Sequence, residues 1–87
     1  MKALELYEAV YDTARSEYVP EDKAGMVRDV IDYADGAFNR NLPTELAEKI
    51  VNCRLDWKEK TWGDSGNGQY QNNYFYCVEE PLSDIEI

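Results

Sequence analysis

The residues able to do chemistry are carboxylates, two thiols and one serine in a glycine-rich turn. Gly63-Asp64-Ser65-Gly66 carries the letters that surround a serine nucleophile in one class of proteases. That chemistry needs a histidine to take the serine proton, and the chain has none. The stretch therefore reads as a turn. As a phosphate cradle it lacks the P-loop lysine, and Asp64 would repel phosphate. As a calcium loop, Asp64-Ser65-Gly66-Asn67-Gly68 lacks an oxygen ligand at its third position. Cys53 and Cys77 do not stand at metal-ligand spacing. Neither a metal nor a cofactor is expected. Paired carboxylates can do acid–base work where burial pushes their pKa values apart. Here they fall on predicted solvent faces, so they stay ionised, and an enzyme is not expected.

What remains is the pattern of the acids. Glu5, Glu8 and Asp12 recur at spacings of three and four, and Asp29, Asp32 and Asp35 at spacings of three. Glu45, Glu48, Asp56 and Glu59 continue the pattern downstream. The ordinary reading of such stripes is a solvated helix face. Two features favour a binding role. Acids outnumber bases 18 to 9, with few compensating cations in the first two stripes. Like charges at these spacings destabilise a helix by roughly a few tenths of a kcal/mol per pair. Helical rise also puts successive stripe carboxylates about 5 Å apart along the axis. DNA presents a phosphate about every 3.4 Å per strand. A second candidate surface is aromatic: Trp57, Trp62, Tyr70, Tyr74 and Tyr76, with Phe75 among them. Core packing and a partner or dimer interface are both open readings of this group.

The chain has 87 residues, enough for one domain, residues 1–87, with a modest core that dimerisation would help. Its 44% hydrophobic and 13% aromatic content suits a globular fold rather than disorder. The net charge of −9 disfavours direct binding to nucleic acid or an anionic membrane and favours partners with basic surfaces. No apolar run is long enough to span a membrane. MKALELYEAVY carries acids where a signal peptide needs an apolar core, so a cytoplasmic location is expected, with Cys53 and Cys77 as reduced thiols rather than a disulfide.

Three helices must position these groups. The first is expected from Ala3 to Glu17, with Leu4, Tyr7, Tyr11, Ala14 and Tyr18 on its apolar stripe and Leu6 and Val10 widening it. Val19-Pro20 breaks it. The second begins at Pro20 and runs to about Ala34, with Val27, Val30, Ile31 and Ala34 inward, Ala24 and Phe38 flanking, and Gly36 as a stop signal. Asn39 to Pro43 is a connector. The third starts near Pro43 or Thr44 and holds to about Lys60 on a stripe of Leu46, Ile50, Cys53 and Trp57, widened by Ala47, Val51 and Leu55. A rival reading ends it near Asn52 and makes Cys53 to Thr61 a strand; the polar face stays in register for four turns, which favours the helix. Trp62 to Gln69 reads as a loop. Tyr74 to Val78 is rich in strand formers and would need a partner, giving either a β-hairpin or a packed irregular or helical tail. Residues 80–87 read as a mobile acidic tail. The expected fold is mainly α: a small three-helix domain with an aromatic-rich C-terminal segment, α+β if the hairpin forms.

From about Leu6 to Gly66 the chain resembles the Ocr ("overcome classical restriction") family of phage antirestriction DNA mimics. Tyr7, Tyr11 and Asp12 are similar in pattern to that family's opening helix, and Asp29, Ile31 and Ala34 to its next. Pro43, Ala47 and Glu48, followed by Asp64-Ser65-Gly66, match a further run. The chain departs from the family in being shorter and less acidic and in lacking its long acidic C-terminal helices. The resemblance implies a mainly helical dimer whose carboxylates stand in for DNA phosphates. Its partner would be a basic nucleic-acid-binding protein, such as a type I restriction-modification enzyme of the host bacterium. The alternative reading is a small interaction or adaptor domain that uses the aromatic C-terminal third.

Overall fold

Each helix of the protein closes one stripe of small and medium apolar side chains onto a common core. The computed structural model describes residues 1–11, 22–62 and 74–87, and of residues 60–62 only the backbone is considered. Helix α1 spans Ala3–Val10, α2 Lys23–Phe38 and α3 Thr44–Trp62. A π-helical turn, Phe75–Glu79, continues into a short α-helical turn, Glu80–Leu82, here α4. Among the described residues the only β pairing is an isolated antiparallel bridge between Lys2 and Glu86. The fold is mainly α, and the hairpin does not form: Cys53–Thr61 belongs to α3, and Tyr74–Val78 is helical.

On α1 the buried residues are Ala3, Leu6, Tyr7 and Val10, the i, i+3, i+4, i+7 pattern of one face. Leu4 and Tyr11, expected at the centre of the stripe, are half-buried at its edge. The expected continuation to Glu17 and the start of the second helix at Pro20 lie outside the described residues.

Asp22 starts α2: its side chain accepts the Ala24 N–H at 3.0 Å and satisfies one of the donors a helix leaves open. Met26, Val30 and Ala34 form the inward stripe. Val27 and Ile31 flank it, while Ala24 and Phe38 are exposed, so the inner face is rotated from the expected one. Gly36 does not stop the helix. The stop is Asn39, which takes the left-handed conformation (φ 54°, ψ 42°). There the N–H groups of Asn39 and Arg40 reach back to the carbonyls of Asp35 and Ala34, each at 3.0 Å. Asparagine tolerates this conformation better than other side-chain-bearing residues.

Helix α3 lies between α2 and the C-terminal helical segment. Ala47, Ile50, Val51, Cys53 and Trp57 are buried along it, and Leu46 and Leu55 are half-buried. Tyr74–Val78 becomes helical because Tyr74, Cys77, Val78 and Leu82 recur at helical spacing. The last three are buried in the same core. Pro81 supplies a reason for the π turn before it. A proline lacks the N–H and its ring crowds the carbonyl four residues back, so the preceding turn widens. The Glu80 N–H accordingly bonds the Phe75 carbonyl, five residues away.

The segment expected to trail as an acidic tail is tied to the N-terminus instead. Ala3 N–H donates to the Ile85 carbonyl at 2.8 Å, and Ile87 N–H to the Met1 carbonyl at 2.9 Å. Ile85 and Ile87 pack against the core. The Glu86 carboxylate bridges Lys2 Nζ at 3.0 Å and the Met1 ammonium at 3.3 Å, and these two cations hold its carboxyl below the usual range.

Gly36 tests the boundary of α2. A Cβ there meets nothing within 4 Å, and the position is exposed inside the helix. Gly36→Ala should therefore stabilise the fold by about 0.5–1 kcal/mol in urea unfolding. A helix that stopped at Ala34 with Gly36 in a left-handed cap would be destabilised by the same change.

Candidate partner-binding surface

The described helices turn their carboxylates outward, but the acids have different occupations. On α1, Glu5 Oε1 accepts the Lys2 N–H at 3.0 Å and so caps the helix N-terminus. Glu8 Oε2 accepts the Tyr74 hydroxyl at 3.2 Å and fastens α1 to the C-terminal segment. Both side chains were expected on the binding stripe; both also hold the fold. Asp12 lies outside the described residues.

On α2, Asp29, Asp32 and Asp35 are all exposed. A spacing of three turns the helix about 60° short of a full revolution per step. Asp32 therefore faces almost directly away from the Met26–Val30–Ala34 stripe, with Asp29 and Asp35 to either side. Asp29 stands on the edge bordering α1, close enough that its charge raises the Tyr11 pKa. On α3, Glu45, Glu48 and Glu59 are exposed and Asp56 is half-exposed.

The aromatic residues divide. Trp57, expected as an interface anchor, is a core residue at 3% exposure. Tyr74 is half-buried. Its ring packs edge-on against Trp57 at 6.0 Å and Tyr7 at 6.2 Å, so it too serves mainly to build the interior. Tyr76 is 65% exposed, and its neighbour Phe75, 46% exposed, packs edge-on against it at 5.2 Å. The Trp62 side chain and Tyr70 lie outside the described residues.

Arg54 is the residue that pattern reading missed. It is 2% exposed, on the buried face of α3. Its guanidinium lies 4.8 Å from the Tyr11 ring centroid and 5.0 Å from that of Trp57. Tyr7 and Tyr11 pack against one another at 5.0 Å, which closes a circuit through Tyr11, Arg54, Trp57, Tyr74 and Tyr7. A signal was present: Arg54 follows Ile50 by four and precedes Trp57 by three, in register with the apolar stripe.

Burial drives the titration of these tyrosines. It pushes Tyr7 up to about 12, with the Arg54 guanidinium working against the rise. Tyr11 is also pushed up to about 12, first by burial and then by the neighbouring Tyr7. Tyr74 is raised by burial and by the adjoining Glu8 carboxylate. The same desolvation raises the Cys53 thiol, which lowers its thiolate fraction and its reactivity. Cys53 and Cys77 are both buried and not disulfide-bonded.

Between α3 and the C-terminal segment runs an open groove of about 580 Å³. Glu45, Glu48, Lys49 and Asp56 stand along its α3 side. Tyr76 stands opposite, and the two buried cysteines line its deeper part. A smaller cleft of about 350 Å³ lies between the first turns of α2 and α3, where Lys23 and Glu48 meet Val27 and Thr44. Glu48 thus borders both depressions. Among the described residues no group of three or more histidine, cysteine or acidic side chains is placed to hold a metal, and no helix is long and apolar enough to cross a membrane. Comparison with protein-family models, with curated proteins and with solved structures finds no match to the chain.

Two measurements probe the buried circuit. Arg54→Ala should lower unfolding free energy by about 3 kcal/mol, because it removes a large buried side chain and its ring contacts. Arg54→Lys should restore only part of this, since an ammonium lacks the planar face that stacks on rings. The tyrosines give a pH dependence. Their folded-state pKa values lie above the ordinary 10.0, so the folded state retains protons that the unfolded state releases. This contribution to stability is fully present below pH 10 and is lost as pH rises toward about 12. Tyrosinate absorbance and helical circular dichroism should therefore change together over that interval.

Proposed function

We propose that the chain acts by binding, as an acidic inhibitor whose helix-borne carboxylates stand in for nucleic-acid phosphates. In this reading it occupies the nucleic-acid groove of a basic protein. A type I restriction-modification enzyme, or another defence or host protein that binds nucleic acid, is the target class that the resemblance to the antirestriction mimics suggests. The supporting observation is the outer face of α2, where Asp29, Asp32 and Asp35 are all exposed and are turned away from the core. The exposed Glu45, Glu48 and Glu59 of α3 add to the negative field. A net charge of −9 on 87 residues would steer a basic partner at long range and repel nucleic acid itself.

A second reading, an interaction domain that uses its aromatic C-terminal third, is favoured by one observation. Phe75 and Tyr76 are exposed side by side on the C-terminal segment. The two readings differ in what should disrupt binding.

Immobilised protein and its Asp29→Lys, Asp32→Lys variant should be compared in capture from a bacterial lysate at low and high salt, with duplex DNA as competitor. The wild type should retain nucleic-acid-binding proteins that both salt and duplex DNA release. The variant, folded by circular dichroism, should retain at least tenfold less. Retention that survives salt, DNA and the charge reversal would overturn the mimic and leave the aromatic surface as the binding site.

A further inference from the structure

The groove between α3 and the C-terminal segment combines three properties that the stripes lack. It is an open recess of about 580 Å³. Its wall carries Tyr76, whose ring is 65% exposed while Tyr7, Trp57 and Tyr74 turn inward. Phe75 packs edge-on against that ring at 5.2 Å. The α3 side of the lining is weighted toward acids, with Glu45, Glu48 and Asp56 beside Lys49. Apolar surface recessed behind carboxylates, with an open aromatic face beside them, suits a side chain with a long aliphatic stem and a flat cationic head.

We propose that this groove seats an arginine from a basic segment of a protein partner. The guanidinium would stack on the Tyr76 ring and donate to the α3 carboxylates, while its methylene stem covers the recess near Cys53 and Cys77. An arginine is favoured over a lysine because its planar head can stack on a ring and bond a carboxylate at its edge at the same time. A phosphate-bearing ligand is disfavoured by the net negative charge. The inference rests on the proposed function in one respect: it takes the partner to be basic. It adds a short-range anchor to the long-range steering by the α2 acids.

The test is titration of the isotope-labelled protein with a short arginine–glycine peptide, its lysine–glycine counterpart and a glutamate–glycine control, followed by amide chemical shifts. The arginine peptide should shift residues of α3 and the C-terminal segment around the groove, and the glutamate peptide should shift none. Tyr76→Ala should weaken the arginine peptide roughly three- to tenfold and the lysine peptide less. Glu45→Gln with Glu48→Gln should weaken both peptides. All three residues are exposed, so the variants should fold, and circular dichroism checks this. Shifts spread evenly over the acids of α1, α2 and α3, with no effect of Tyr76→Ala, would overturn the groove. Loss of binding on dilution alongside self-association in light scattering would assign the groove to a second copy of the chain and overturn it equally. The Asp29→Lys, Asp32→Lys variant separates the two readings. If it abolishes DNA-competed capture while the groove variants leave peptide binding intact, the mimic stands and the groove falls. If it leaves capture intact while the groove variants abolish peptide binding, the groove stands and phosphate mimicry falls.

Discussion

A cation enclosed by aromatic rings is the constraint on which the arrangement of this protein depends. Arg54 brings a charge into the interior, where desolvation is costly by several kcal/mol. The faces of Tyr11 and Trp57 offset part of that penalty through the negative potential above each ring. These partners belong to α1 and α3, and Tyr74 of the C-terminal segment closes the circuit with Tyr7. Segments far apart in sequence must therefore converge at one point. The rotation of α1 follows, because Tyr7 and Tyr11 must lie toward Arg54. That rotation turns Glu5 and Glu8 outward, where one caps α1 and the other accepts from Tyr74.

The same packing separates the buried charge from most of the acids. A small domain has little core with which to offset unfavourable interactions. Here the buried charge is positive, while Asp29, Asp32, Asp35, Glu45, Glu48 and Glu59 stay hydrated on the outer faces. Mutual repulsion among exposed carboxylates is screened by water and salt, so the fold tolerates it at modest cost. Burial raises the pKa of the Cys53 thiol and of Tyr7 and Tyr11, so the described interior keeps these groups protonated at neutral pH. Under the proposed function the surface is what acts, and the interior sets its shape.

The existence of α1, α2 and α3 was legible because each carries a strong periodic stripe, and the register of α3 from Ala47 to Trp57 was legible as well. One error and one open choice have a shared origin: a local signal was weighed without its distant partner. Gly36 looked like a stop, and the inward stripe does end at Ala34, yet α2 runs on to Phe38 because the left-handed geometry that closes the helix belongs to Asn39. Tyr74 to Val78, considered alone, left a strand in a hairpin and a helical tail both open, and the structure takes the helical one. Extended by four residues to Leu82, it shows the helical spacing that the core selects. Of the candidate site, the outward acids of α2 and α3 could be read from periodicity. The groove could not, because it is made by two segments far apart in sequence, α3 and the turn that Cys77, Val78 and Leu82 hold against the core. The division of the aromatics into buried Trp57 and exposed Tyr76 followed from the same unseen contact.

A stripe and a groove contribute to recognition on different length scales, which is why both belong in one reading of the surface. Exposed carboxylates act over about a Debye length, near 8 Å at physiological salt, and chiefly raise the rate of encounter with a basic partner. They distinguish partners poorly, since any positive surface answers them. A recess with an oriented ring acts only at contact, and it favours a side chain that fills it over one that does not. Long-range attraction by a net charge of −9 alone gives weak discrimination among basic proteins. The placement of Tyr76 in the same groove as the α3 carboxylates would supply what the field lacks. That placement traces back to Pro81, which widens the turn carrying Tyr76, and to Cys77, Val78 and Leu82, which fix the turn against the core.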